Sequence, residues 1–207
     1  MESKINQEEL RKRFPELIYS ESMNEINGKI HIECKCRDEY INDSFEIKIK
    51  LIDSGIPEVF DICKRIKMSY GHIYNNSKLC LATDLEQELY LRNHSIYEWI
   101  DEYVIKYFIS YIFYQKYKVF PFEDHSHGEK GILEFLREFW NVENDYIAKK
   151  ILEYICTKPY RGHNSCPCGS GKRLRNCHGK LVLDIINSEN LKIYKENYRR
   201  IKDVGKI

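Results

Sequence analysis

Glycine and proline are scarce, ten and five in 207 residues. No low-complexity tract and no internal repeat can be marked along the chain, which excludes a repeat array or a flexible linker protein. Long apolar runs are missing as well. The most apolar stretch, near Ile100 to Phe113, contains Asp101, Glu102 and Lys106, so no membrane-spanning helix is expected. The N-terminus is polar and charged, without a signal peptide. The expected compartment is therefore the cytoplasm, with no membrane partner. A phosphate loop is lacking too. Gly169-Ser170-Gly171-Lys172 comes nearest, but Cys166 stands where that motif needs its first glycine. Arg173 then follows the lysine, where Ser or Thr is required. An activating domain that binds a nucleotide is thereby excluded.

What is present suffices for one good core and a small appendage. Apolar residues make up 43% and aromatics 13%, including 16 tyrosines. The net charge of +1 hides an asymmetry, because residues 158–207 carry 12 Lys/Arg against 4 Asp/Glu, and the preceding 157 carry 21 against 28. A basic tail on an acidic body suits an acidic partner or nucleic acid. The body has no basic stripe with interleaved aromatics, so a nucleic-acid partner is not expected. Eight cysteines without a secretory signal indicate thiols and metal, not disulfides.

Along the chain, Lys4 to Phe14 reads as a short helix stopped at Pro15. Two strands stand out by strict alternation. Ile30, Ile32, Cys34 and Cys36 share one face of the first, with His31 on the other. Phe45, Ile47, Ile49 and Leu51 share a face of the second. A turn through Asp38 to Asp43 makes them an antiparallel hairpin, flanked by strands at Leu17–Met23 and Val59–Ile66. Thr83 to His94 has no clear form. Ser95 and Glu98 then form a capping box, opening a long helix with a stripe at Ile96, Trp99, Ile100, Tyr103, Val104, Tyr107 and Tyr111. Pro121 ends that segment. Gly131–Trp140 and Val142–Cys156 read as amphipathic helices, with Ile132, Phe135, Leu136 and Phe139 inward in the first. Tyr160 to Ser165 reads as a hinge, and Lys180 to Lys202 as one basic helix. The expected division is residues 1–157 and residues 158–207.

Two sites carry chemistry. Cys166-Pro167-Cys168 and, eight residues on, Cys177-His178 supply three thiolates and an imidazole, the donor set of a closed structural zinc site. Gly169-Ser170-Gly171 lets the chain turn tightly around the metal. The other site is Tyr70 to Ala82, where His72, a polar turn (Asn75-Asn76-Ser77-Lys78) and Cys80 follow the strands. A nucleophilic cysteine needs partial exposure and polar neighbours. Spacing alone equally suits a small apolar side chain between Leu79 and Leu81. A second polar island holds Glu123, Asp124, His125 and His127, a plain loop by spacing alone.

The segment from Cys166 to His178 resembles the SEC-C motif, a zinc knuckle whose family role is to recruit partners. The order of parts, with a helix, four meandering strands, Pro57, then His72 and Leu79-Cys80-Leu81 before a long helix, resembles ubiquitin-conjugating enzymes. In place of that family's His-Pro-Asn, Ile73 follows the histidine, and the interval to the cysteine is eight residues instead of ten. The shorter interval, with His127-Gly128 and Glu134 beyond, is similar to the bacterial branch of the family found in short type II CBASS antiphage systems. The resemblance implies an α+β, UBC-like fold: an N-terminal helix, a four-stranded antiparallel meander, C-terminal helices, and a small zinc knuckle. It implies a cysteine acyltransferase in which Cys80 carries a protein C-terminus as a thioester and passes it to a target lysine. His72, the side chains of Asn75 and Asn76, and the backbone N–H groups of the loop would serve the tetrahedral intermediate, and His127 would deprotonate the incoming amine. The implied partner is a cGAS-like nucleotidyltransferase or another protein C-terminus. The competing expectation is a non-catalytic adaptor that uses the groove and knuckle only to bind.

Overall fold

A computed structural model describes residues 5–53, 55–122, 125–126 and 128–204. It divides the chain into two compact units: residues 1–82 with 90–124, and residues 83–89 with 125–207.

The first unit opens with α1 (Gln7–Arg13), capped by Asn6, whose side chain accepts the Glu8 and Glu9 N–H groups. A four-stranded antiparallel meander follows in the order β1 (Leu17–Ser20), β2 (Glu25–Cys36), β3 (Glu39–Lys50), β4 (Glu58–Asp61). Cys36 pairs with Glu39, so the hairpin loop is only Arg37-Asp38 and not the expected turn through Asp38 to Asp43. Arg37 takes the positive φ of 54° that a two-residue loop demands. Alternation continues back to Ile41, 5% exposed, which keeps residues 39–43 in the strand. The flanking strands end sooner than expected, β1 at Ser20 and β4 at Asp61.

The period of two places Ile26, Ile30, Ile32, Phe45, Ile47 and Ile49 on one buried face. Cys36 joins them and Cys34 packs beside them, as the alternation requires. Against this face lies the long helix, made of α3 (Ile96–Trp99), a π-helical segment Ile100–Ile105, and α4 (Lys106–Tyr117). The capping box of Ser95 and Glu98 is formed. Six stripe residues from Trp99 to Tyr111 are buried, and the Phe108 ring stacks on Phe45 at 4.2 Å.

α2 (Asp84–Leu91) fills the stretch that sequence left without form. Its signal is Thr83, whose hydroxyl accepts the Glu86 N–H at 3.4 Å. The second unit adds α5 (Gly128–Phe139), α6 (Asp145–Thr157), α7 (Gly179–Ile186) and α8 (Leu191–Val204). Its core joins Ile132 and Leu136 to Ile151, Ile155, Val182 and Tyr194, and Cys166 and Leu174 of the knuckle belong to it. The knuckle thus shares a core with helices that the sequence reading had placed before its boundary at 157. On α5 the buried face is Ile132, Leu133 and Leu136, completed by Trp140, while Phe139 is 58% exposed. The face at spacing i, i+4, i+8 reaches Trp140 and leaves Phe139 outside.

The expected basic helix from Lys180 to Lys202 is two helices. The break falls at Asn187 to Asn190, where Ser188 turns the chain. Its hydroxyl donates to the Ile185 carbonyl and accepts the Asn190 N–H. A serine that satisfies backbone groups locally competes with helix continuation. Among the described residues no helix is long and apolar enough to cross a membrane.

Candidate active site and metal centre

Cys80 sits on a short hairpin docked to β4. The Cys80 N–H donates to the His72 carbonyl at 2.9 Å, Ile73 bridges Leu79, and the Tyr74 N–H donates to the Lys78 carbonyl at 2.8 Å. The arms therefore pair 72 with 80, 73 with 79, and 74 with 78. Alternation does the rest. Ile73 and Leu79 point into the core, 8% and 3% exposed. His72, Tyr74, Lys78 and Cys80 share the opposite face. The sequence reading brought His72 and Cys80 together through family resemblance, and the ladder sets them directly across from each other. The tip turns from Tyr74 to Ser77, with Ser77 at a φ of 66°.

The hairpin is anchored on three sides. The Leu79 N–H donates to the Val59 carbonyl at 2.7 Å, and the Asp61 N–H to the Ser77 carbonyl at 3.0 Å. Tyr107, buried on the long helix, donates its hydroxyl to the His72 carbonyl at 2.8 Å. Burial pushes the Tyr107 phenol far up, so it stays a donor at every working pH. The His72 ring lies 5.3 Å from Phe120, edge to face, and 5.2 Å from Tyr70. Lys78 pairs with Glu58 at 2.8 Å. Tyr74, 52% exposed, donates its hydroxyl to Cys80 Sγ at 3.7 Å. The sequence reading missed Tyr74, Glu58 and Tyr107 as site residues. The sequence carried no signal for Tyr74, because its reach to Cys80 follows only from the hairpin register.

What this loop can offer an oxyanion is narrowed by its own hydrogen bonds. The N–H groups of Tyr74, Ser77, Leu79 and Cys80 are all spent on backbone carbonyls. Lys78 N–H donates to Asn76 Oδ1 at 3.1 Å. That contact leaves the Asn76 amide NH₂ outward as a donor, beside the exposed Asn75.

Three thiols outside the knuckle are held in their protonated form. Burial, then the neighbouring Cys36, raises the Cys34 thiol. A hydrogen bond to Glu46 raises Cys63, although it is exposed. Burial takes Cys156 up to about 11.

His127 and Glu123, expected from sequence, lie outside the described residues. Their neighbour His125 is held between two carboxylates, Nδ1 3.4 Å from Glu86 and Nε2 3.1 Å from Glu138. Glu86 first, then Glu138, raises it to about 9 against partial burial. Ser126 is fixed by Glu134, which accepts its N–H at 2.6 Å and its hydroxyl at 3.1 Å. The loop then passes so close to α5 that a Cβ at Gly131 would lie 1.6 Å from the Ser126 carbonyl oxygen.

In the second unit, Cys166, Cys168, Cys177 and His178 bring their four donor atoms within 4.8 Å of one another. Cys166 Sγ and Cys177 Sγ each lie 3.3 Å from His178 Nδ1, and Cys168 Sγ lies 3.6 Å from Cys177 Sγ. A tetrahedron with metal–sulfur bonds of about 2.3 Å and metal–nitrogen bonds of about 2.0–2.1 Å has edges of about 3.5–3.8 Å. The set is therefore compatible with a single tetrahedral metal. Gly169 and Gly171, at φ of 81° and 73°, make the turn that returns the chain. The Cys166 N–H donates to the Lys172 carbonyl at 2.9 Å and closes it.

A family model described as type II CBASS E2 protein matches residues 6–127, and a SEC-C motif model matches residues 164–180. Neither the curated proteins nor the solved structures contain a match.

Proposed function

We propose that this chain, which belongs to the family of type II CBASS E2 proteins, carries a protein C-terminus as a thioester on Cys80 and transfers it to a lysine amine. The observation that carries this reading is where Cys80 sits. It is a partly exposed thiol on the outer face of a hairpin whose inner face is core. A cysteine kept for packing belongs on the side of Ile73 and Leu79. The Cys80 thiolate attacks an activated carbonyl carbon, or takes the acyl group by exchange from another thioester. The tetrahedral oxyanion is met by Asn76, Asn75 or His72, because most of the loop's backbone N–H groups are already engaged. His127 deprotonates the incoming lysine. The acyl donor is a cGAS-like nucleotidyltransferase or another protein with an exposed C-terminal tail, and the conjugation regulates antiphage signalling.

Cys166, Cys168, Cys177 and His178 hold a structural zinc, which fits their spacing and the softness of three sulfurs. The knuckle serves to bind a partner and leaves the acyl chemistry to Cys80. The test is co-expression with a candidate cGAS-like nucleotidyltransferase, scoring conjugate in wild type, Cys80→Ala and His127→Ala. Cys80→Ala should form none. His127→Ala should load Cys80 but discharge it slowly. Equal conjugate from Cys80→Ala would instead favour an adaptor that only holds its partners.

A further inference from the structure

The hairpin ladder places a second protic group on the sulfur's face. Tyr74 and Cys80 stand diagonally across the two arms, a separation that a long aromatic side chain spans. Its hydroxyl points back at Sγ, the donor in an O–H···S contact of 3.7 Å. The opposite residue, Lys78, holds its ammonium 5.8 Å from the centre of the Tyr74 ring. Lys78 is itself tethered to Glu58 on β4 at 2.8 Å. The ring is thus steered by a neighbour that the sheet fixes in place.

We propose that Tyr74 is a catalytic residue of the Cys80 chemistry: its hydroxyl stabilises the sulfur as a thiolate, first as nucleophile and later as leaving group. The proposal rests on Cys80 being the acyl carrier. In loading, Sγ forms a bond to the carbonyl carbon of an acyl adenylate or acyl thioester, and AMP or the donor thiolate departs with its electron pair. In discharge, the lysine nitrogen bonds to that carbon and the C–S bond breaks. The electron pair returns to Sγ, and the amine proton passes to a base. In both steps the free thiolate accepts the Tyr74 hydrogen bond, and the neutral thioester sulfur accepts it far more weakly. The contact is therefore strongest where charge sits on sulfur.

Tyr74→Phe isolates the hydroxyl, since the ring over Lys78 remains. The side chain is half exposed, so the fold should be kept, as a thermal melt of the variant will show. The readout is the pH dependence of iodoacetamide alkylation at Cys80, followed by peptide mass spectrometry in the full chain. A hydrogen bond to a charged group at such a site is worth about tenfold, so the midpoint should rise by about one pH unit. At pH 7 alkylation should slow only about threefold, because each remaining thiolate is about threefold more nucleophilic. Discharge of preformed Cys80 thioester to lysine should also slow. An unchanged midpoint, or a shifted midpoint with unchanged discharge, overturns the proposal. Alkylation needs no conjugation partner. If Cys80→Ala still conjugated, the acyl-carrier reading would fail while the effect of Tyr74 on the thiol would still be measured.

Discussion

At the scale of single residues, the eight cysteines separate by what surrounds each sulfur. Cys36 is buried, and Cys34 is partly buried with its thiol raised. Exposed Cys63 faces Glu46, whose charge opposes the thiolate. Brief alkylation at pH 7 should therefore label Cys80 ahead of Cys63, and Cys34 and Cys36 only on unfolding. Equal labelling of Cys34 and Cys80 in native protein would mean that the strand faces are misassigned. His125 has a pH signature of the opposite kind. Its folded pKa is raised to about 9 by Glu86 and Glu138, above the ordinary value of about 6.5. Its stabilisation is thus complete below about pH 6.5 and is lost as pH rises through about 9. Glu86→Gln should lower the His125 titration midpoint seen by NMR and flatten the fall in melting temperature between pH 7 and 10. A His125 midpoint near 6.5 in wild type would contradict the ion-pair geometry. The residue-level site was half legible in the sequence. Cys80 and His72 were singled out as candidates through the family pattern, and the hairpin ladder sets them across from each other. Tyr74 was hidden, because a tyrosine six residues before a cysteine means nothing until the hairpin register pairs 74 with 78.

At the scale of elements, the long helix and the β2–β3 pair carry the first core. Phe108 is fully buried and stacked on Phe45, so Phe108→Ala should cost about 3–5 kcal/mol in denaturant unfolding. Ser95→Ala removes half of a formed capping box and should cost about 1 kcal/mol. If the order of these two losses were reversed, the helix would be held by its cap more than by its packing. These elements were readable because periods of two and of 3.6 were both clean: Ile30 to Cys36 alternate, and Trp99 to Tyr111 recur every three or four residues. The failures have local causes. Thr83 and Glu86 form a helix-start signal that precedes too few apolar residues to stand out. Ser188 breaks the tail helix through two hydrogen bonds that composition does not reveal. Tyr40 and Ile41 extend β3 into what looked like a polar turn.

At the scale of the whole molecule, there are two cores where one core and an appendage were expected. The zinc-type knuckle was the most legible feature of the sequence, since three cysteines and a histidine at that spacing have few other uses. Its integration was not legible, because ligand spacing does not show that Cys166 and Leu174 share one core with Ile151, Ile155, Val182 and Tyr194 of the helices on either side. Metal removal should therefore loosen more than the knuckle. With one zinc per chain in the purified protein, chelation should abolish amide-exchange protection across α6, α7 and α8 and spare β2 and β3. Loss confined to about residues 162–180 would show the knuckle to be a separate appendage. The central claim concerns the first unit, where a thiol, a phenol and an imidazole share the outer face of one hairpin. The most direct measurement is peptide mapping by mass spectrometry of the conjugate trapped at low pH without reducing agent. A thioester joining Cys80 Sγ to the terminal carboxyl of the partner, cleaved by thiols and replaced by a thiol-resistant ester in Cys80→Ser, is the expected result. An adduct on any other residue, or none on Cys80 while target lysines are still modified, would contradict the account.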